Sequence, residues 1–357
     1  MEVSIPLQFP DLRVEERAGR GRCLVAARAI PAGRAVLISA ANCAFPASDA
    51  ICHACWRPAR GTALLRCTTC KTSYCSAACQ KADWKPFHQL ECRLLLAFKH
   101  KESKVPPPVW VPLLLAARLY RGQGAAAVLP APALAAATAT AETTSGTAAT
   151  AASASAPAFY ATLADLQSLS VLAPASNPAS PAYARAQAIV ALARQLNLFP
   201  PVSVLSDARA IRDQLVFDSN NFTLTDETFD VTGFGAYPAA ALMNHSCTPN
   251  VVLSYGFTAG AADGQAAATT QIVRTLLPLK EGDELVHPYC DVTKSAAERR
   301  AELYSQYAFD CDCAACSVEM RGVEEEKNKA GTATETETET EENAHVARAL
   351  LMISRAR

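Results

Sequence analysis

The stretch Asn244-His245-Ser246-Cys247-Thr248-Pro249-Asn250 sets an amide, an imidazole, a hydroxyl and a thiol side by side, directly after the apolar run AAALM. A thiol in that company could be a buried core group, a nucleophile paired with His245, half of a disulfide or a metal ligand. The other cysteines bear on the choice. Cys52-x2-Cys55, Cys67-x2-Cys70, Cys75-x3-Cys79 and His88-x3-Cys92 place eight soft or borderline ligands in one short segment. Two tetrahedral zinc ions need eight. A C-x2-C pair presents two thiolates from one tight turn, and His88 and Cys92, four apart, share a face if they lie on a helix. So short a segment has little core of its own, and metal must stabilise its fold. Nearer the C-terminus, Cys311, Cys313 and Cys316 make an incomplete tetrahedron. Cys23, Cys43, Cys247 and Cys290 are all candidates for its fourth place, and spacing selects none of them.

The remaining composition narrows the class. The chain has 357 residues, 14 cysteines and a formal net charge of -1, so it carries no global electrostatic footprint for nucleic acid or an anionic membrane. Its start, MEVSIPLQFPDLRVEERAGR, has scattered charges and no apolar signal-peptide core. No uninterrupted apolar run reaches the roughly 20 residues that span a bilayer. The chain therefore reads as intracellular and soluble, a setting in which many cysteines point to metal rather than to disulfides. Within 52–92, Arg57, Arg60, Arg66, Lys71, Lys81 and Lys85 stand against Asp83 and Glu91. Metal-bound thiolates offset most of that positive charge, so DNA binding is not implied.

These groups need elements to hold them. RAVLIS, after the turn IPAG, suits a strand, and ECRLLLAFKHK suits a short helix broken before VPPPVW. Residues 122–157 collapse to Ala, Thr and Ser and read as a flexible insert. AYARAQAIVALARQLNLFPP has helical spacing through Ile189, Leu192 and Leu196, with Pro200 expected to stop it. Residues 216–290 turn strand-like, with VVLSYGF and QIVRTLLPL flanking the loop TAGAADGQAAA. AAERRAELYSQYAF is a final helix, and the tail EEEKNKAGTATETETETEEN is acidic low complexity.

The pattern CHAC…CTTC…YCSAACQKADWKPFHQLEC closely resembles the MYND zinc finger, a module that usually docks protein segments. That resemblance implies a cross-brace: Cys52, Cys55, Cys75 and Cys79 on one ion, Cys67, Cys70, His88 and Cys92 on the other. GRGRCLVAARAIPAG, NHSCTPN and YAFDCDCAAC, in this order and with the finger inserted after the first, resemble the SET and MYND domain family of protein-lysine methyltransferases. The resemblance covers about 1–120 and 185–318. It implies an α+β fold: a mostly-β split SET domain around a knot-like crossing, an inserted finger, a post-SET zinc site and flanking helices. The implied organisation is a SET N-terminal part at 1–48, the finger at 52–92 and a helical connector at 93–215. The SET core follows at 216–310, the post-SET zinc segment at 311–318, and a tail with one short helix at 319–357.

What the resemblance implies for chemistry is S-adenosylmethionine-dependent methylation of a protein lysine, histone or otherwise, with three zinc ions in all. Cys247 would join Cys311, Cys313 and Cys316. Arg20 and Arg22, beside Gly19 and Gly21, match positions lining the cofactor, as do Ser219 and Asn220, Asn244 and His245. Tyr289 matches the active-site tyrosine, and Tyr307 and Phe309 match aromatics at the lysine channel and adenine pocket. Methyl transfer from a sulfonium to an amine is an in-line displacement that needs a neutral amine, alignment and aromatic walls, not a nucleophile or an acid-base pair. The expected partners are the substrate lysine and proteins docked through the finger, with no direct nucleic acid and no membrane, in nucleus and cytoplasm. The alternative is a non-catalytic adaptor. Three features depart from the family pattern: Cys23-Leu24 follows Arg22 where relatives often carry Gly-Leu, LVHPYCD replaces a more usual strand before the tyrosine, and a long helical C-terminal domain is not matched. An open peptide groove, or one completed by a partner, is expected.

Overall fold

The computed structural model describes residues 9–59, 63–99, 107–121, 158–160, 166–167, 169–171, 173–257 and 269–321. The Ala-rich insert expected at 122–157 and the tail beyond 321 lie outside them. Strands β1 (Leu12–Arg17), β2 (Gly21–Ala26), β3 (Ala35–Ala40) and β4 (Cys43–Pro46) come first. The finger contributes β5 (Leu65–Arg66), β6 (Ser73–Tyr74), α1 (Ala77–Asp83), a π-helical turn (Trp84–His88) and α2 (Gln89–Lys99). Then come α3 (Pro107–Arg121), β7 (Ala158–Tyr160), α4 (Pro181–Gln195) and α5 (Asp207–Asn220). The remainder is β8 (Asn221–Thr225), β9 (Val231–Ala236), β10 (Asn244–His245), β11 (Val251–Phe257), β12 (Thr269–Thr275), β13 (Val286–His287) and α6 (Ala296–Tyr307), which is not the final helix expected, since a helical segment follows at 314–321.

Strands from before the finger pair with strands from after it. One sheet runs β11-β12-β3-β7 and another β4-β9-β8, with the small pairs β1-β2, β5-β6 and β10-β13 beside them. The finger is thus an insertion in sequence that leaves the sheets closed in space, as the expected α+β fold requires. β12 (TTQIVRT) is buried at almost every position, since both its faces are covered, whereas β1 (LRVEER) alternates. No helix of the described residues is long and apolar enough to cross a membrane.

The helices begin and end for local reasons. Ser180, Ser206 and Ser295 cap α4, α5 and α6, and Ser295 and Glu298 form a reciprocal capping box. On α4 the buried residues are Ala186, Ile189, Val190 and Ala193, one helical stripe. Pro200 does not stop this helix. Asn197, at φ 52°, turns the chain left-handed, and the N–H groups of Asn197 and Leu198 close on the carbonyls of Arg194 and Ala193. α2 ends at Lys99, before VPPPVW as expected, and α3 then starts within that run, because prolines fit a first turn whose N–H groups have no intrahelical partner. One further expectation fails. Residues 216–220 are helical, the end of α5, because Val216 and Phe217 continue its buried face.

The finger docks on the β4-β9 sheet at two places. Trp56 lies over Gly233, where a Cβ would collide with its ring and with the Phe45 carbonyl. Arg118 of α3 makes a bidentate pair with Glu91 of α2 at 2.8 and 2.7 Å and donates to the Ala44 carbonyl of β4 at 2.9 Å. Its guanidinium sits 4.7 Å from the ring centres of both Phe45 and Phe87. Both charged side chains are buried. Removing one partner leaves the other charge buried alone. Arg118→Ala is expected to lower stability to chemical denaturation by about 3–5 kcal/mol, and the paired change Arg118→Met with Glu91→Leu by clearly less.

Candidate functional site

Two segments distant in sequence make the site. β10 runs parallel to β13, with Asn244 opposite Val286 and His245 opposite His287. Asn250 fastens the pair from one side: its side-chain amide donates to the Glu284 carbonyl at 2.8 Å, and its oxygen accepts the Val286 N–H at 2.9 Å. His245 fastens it from the other, as its Nδ1 accepts the Tyr289 N–H at 2.9 Å. With Nδ1 accepting, the ring proton of the neutral imidazole sits on Nε2, which faces the Cys247 Sγ at 3.3 Å. Burial keeps that imidazole neutral, holding its pKa down at about 4. His245 therefore positions a tyrosine with one nitrogen and faces the Cys247 sulfur with the other. It is not placed as a base for a nucleophilic cysteine.

Around Tyr289 the rings gather. Its centre is 4.9 Å from Tyr307, 4.9 Å from His287 and 5.4 Å from His245, and Phe309 stands 5.8 Å from His245. Burial raises the Tyr289 pKa, so the phenol stays protonated, and its hydroxyl donates to the Met243 carbonyl at 2.6 Å. Burial also holds His287 down at about 4, so this second imidazole adds no charge.

A polar corner adjoins the rings. Gly19 and Gly21, at φ 75° and 68°, turn the chain from β1 to β2, and both have open space where a side chain would stand. Between them, Arg20 reaches the His245 carbonyl at 3.2 Å and Glu284 at 3.1 Å. Asn244 donates to Glu284 at 2.8 Å and to the Arg20 carbonyl at 3.3 Å. Arg22, on β2 opposite Glu16, is half-buried. Ser219 and Asn220 are half-buried in the last turn of α5, where their side chains bond back to the carbonyls of Leu215 and Val216. Glu284, the acceptor that Arg20 and Asn244 share, was not singled out from the sequence, since one carboxylate in EGDEL carries no spacing signal.

The sulfurs fall into groups of four. Cys52, Cys55, Cys75 and Cys79 form one, Cys67, Cys70, His88 and Cys92 a second, and Cys247, Cys311, Cys313 and Cys316 a third, with ligand atoms within 4.8 Å of one another in each. Cys55–Cys75 at 3.5 Å, Cys67–Cys92 at 3.7 Å and Cys247–Cys316 at 3.6 Å approach the edge of about 3.8 Å that a zinc–thiolate tetrahedron has. The donor sets therefore fit zinc. Both finger turns use the same device: Trp56 and Lys71, each just after a C-x2-C pair, are left-handed at φ 61° and 63°. Of the other candidate cysteines, Cys23 and Cys43 lie outside these groups, and burial pushes the Cys43 thiol up to about 12. Cys290 stands near Cys247 and His245 without joining the third set of four. Arg299, which sequence reasoning did not find, is buried beside that set and donates to the Cys316 sulfur at 3.5 Å and to Glu319 at 2.9 Å.

The family described as the MYND finger matches residues 52–92. Histone-lysine N-methyltransferase ASHR1 of Arabidopsis thaliana is 27% identical over 318 residues, 87% of this chain and 56% of that protein. N-lysine methyltransferase SMYD2 of Gallus gallus is 26% identical, covering 77% of this chain and 52% of its own length. Histone-lysine N-methyltransferase SMYD3 of Mus musculus is 24% identical, covering 72% and 49%. The chain spans about half the length of the curated relatives it matches. Among solved structures, the SET domain of LSMT bound to lysine and AdoHcy aligns at a TM-score of 0.34 and 14% identity over 84% of this chain and 53% of that chain. An alignment that weak carries no argument for the fold. The resemblance to SET and MYND domain proteins read from the sequence is borne out by the finger match and by relatives that extend over most of the chain.

The Asn250 bridge generates a direct test. Asn250→Ala removes two side-chain hydrogen bonds and leaves a part-buried N–H and C=O to find new partners. A stability loss of about 2–3 kcal/mol in urea unfolding is expected, with the three thiol groups still able to bind metal.

Proposed function

We propose that this chain is an S-adenosylmethionine-dependent protein-lysine N-methyltransferase that holds three zinc ions, two in the finger and one on Cys247, Cys311, Cys313 and Cys316. The observation that supports this most is the junction of two environments. Rings of Tyr289, Tyr307, Phe309 and His245 meet a polar corner carrying Arg20 and Asn244. When bound, the donor would supply a methyl group on a sulfonium, which an attacking amine takes as the carbon–sulfur bond breaks and the thioether leaves. The cationic Arg20 and the open turn at Gly19 and Gly21 fit its carboxylate end, and aromatic faces fit its cationic centre.

The residues have separable tasks in this reading. Aromatic walls exclude water from an entering lysine and favour its neutral amine. Tyr289, protonated and tied to the Met243 carbonyl, orients the amine and does not take its proton. The imidazoles of His245 and His287 are held too weakly basic to keep the lysine proton, so the ammonium gives that proton to solvent before its lone pair can attack the methyl group. The finger is the site for protein partners, and the substrate is a lysine on a histone or another protein, in nucleus or cytoplasm.

Two measurements test the reading. Tyr289→Phe is expected to keep binding to S-adenosylhomocysteine in calorimetry while methyl transfer to a histone or peptide mixture falls about tenfold or more. No binding by the wild-type chain would favour the adaptor reading, and unchanged turnover would move the role to Tyr307. For the third zinc, elemental analysis of Cys247→Ser should return about one ion fewer, because a hydroxyl replaces a thiolate poorly at zinc. Cys23→Ser, Cys43→Ser and Cys290→Ser should each keep all the metal. Loss of zinc from Cys290→Ser with retention in Cys247→Ser would place the fourth ligand at Cys290.

A further inference from the structure

Glu284 is built in more firmly than any other group of the polar corner. Its backbone is fixed on two sides: the flanking Leu285 N–H bonds the Leu24 carbonyl of β2 at 2.8 Å, and the Asn250 side chain holds the Glu284 carbonyl at 2.8 Å. Gly282, left-handed at φ 84°, makes the turn that delivers it there. The carboxylate is only 10% exposed and is a shared acceptor for three side chains. Arg20 approaches it at 3.1 Å, Asn244 at 2.8 Å and Arg17 at 3.5 Å. Arg17 also donates to the Gly282 carbonyl at 2.6 Å, so it is part of the brace.

Two consequences follow from that arrangement. Arg17 is held by Glu15 at 3.2 Å as well as by Glu284, so Arg20, with Asp312 at 3.9 Å, is the cation of the corner that an anionic ligand group would meet. Arg20 and Asn244 have flexible side chains, and each would otherwise lose rotamer freedom when a ligand ordered it. A fixed acceptor removes that cost before the ligand arrives. We propose that Glu284 is the positioning residue of the methyl-donor corner: it pre-orders Arg20 and Asn244 to receive the amino-acid end of the donor. This rests on the methyltransferase reading given above. It assigns Glu284 no contact with the donor.

The test uses the full chain with its metal, S-adenosylhomocysteine as the probe in calorimetry, and S-adenosylmethionine in turnover. Glu284→Gln keeps the size and removes the charge. Its affinity for S-adenosylhomocysteine is expected to fall about tenfold, the scale of one charged hydrogen bond. The donor KM should rise by a similar factor while kcat at saturating donor stays near wild type, and zinc content and unfolding midpoint should hold. A purely structural role would lower kcat with the folded fraction and leave the donor KM alone, which overturns the proposal. Tighter binding also overturns it, because the carboxylate would then be competing with the donor for Arg20. Glu284→Asp, one methylene shorter, should recover part of the affinity, since the charge returns but cannot reach both partners equally. If the wild-type chain binds no S-adenosylhomocysteine, the methyltransferase reading itself fails, and that result is separable from any defect confined to the variants.

Discussion

The side-by-side pairing of residues 244–250 with 284–289 is the constraint on which the site depends. Backbone groups buried this far from water must find partners, and here each segment supplies them to the other. Val286 gives its N–H to Asn250, Tyr289 gives its N–H to His245, and Ser246 gives its N–H to the His287 carbonyl at 3.2 Å. Slipping the pairing by one residue would break all three together. The same register places Asn244 at the polar corner, Tyr289 among the rings and Cys247 among the sulfurs. Three chemically different neighbourhoods thus share one backbone contact.

The finger is held by a different kind of force. Its attachment to the sheets relies on a buried ion pair between Glu91 and Arg118, sandwiched between Phe45 and Phe87. Glu91 is next to Cys92, a member of the second ligand group, so α2 carries a metal ligand and the docking carboxylate on consecutive residues. The Glu91–Arg118 pair therefore couples the finger to α3 and β4, beside the Trp56 contact with Gly233 and the stacking of Phe98 on Trp110. A guanidinium suits this place better than an ammonium, because it forms two parallel bonds to the carboxylate and still presents flat faces to the rings.

Much of this was legible in the sequence, and the illegible part has a common cause. Ligand spacing fixed the finger's four ligand pairs, because metal geometry acts over a few residues. The spacing Ile189, Leu192 and Leu196 showed the helix, but only Ile189 of the three is in its buried stripe with Ala186, Val190 and Ala193, while Leu192 and Leu196 pack half-buried at its edge. Glu284, Arg299 and Arg118 were missed because each acts through contacts with residues far along the chain, and a single charged residue in a loop or helix leaves no periodic trace. The end of α5 was misread for a similar reason. Val216 and Phe217 are strand-favouring types locally, yet the buried face of α5 continues through them and tertiary packing overrides propensity. Asn197 was outweighed by the more conspicuous Pro200, although an asparagine tolerates the left-handed turn that ends α4.

The third sulfur group shows why its surroundings matter as much as its ligands. Four thiolates around one zinc carry a net charge of about -2, and burying that charge is costly unless donors face the sulfurs. Two such donors are in place. His245 points its Nε2 at Cys247, and Arg299 points its guanidinium at Cys316. Arg299 is itself buried, so it needs the sulfur and Glu319 as much as they need it. The last turn before α6 enters the same arrangement, because the Arg299 guanidinium also bonds the Lys294 carbonyl. One buried cation thereby joins the start of α6, the helical segment at 314–321 and the sulfur cluster. α6 ends at Tyr307, and Phe309 follows just before Cys311. The aromatic wall beside Tyr289 thus lies between the end of α6 and the sulfur group, so the contacts that hold α6 and the sulfurs together also hold the rings in place.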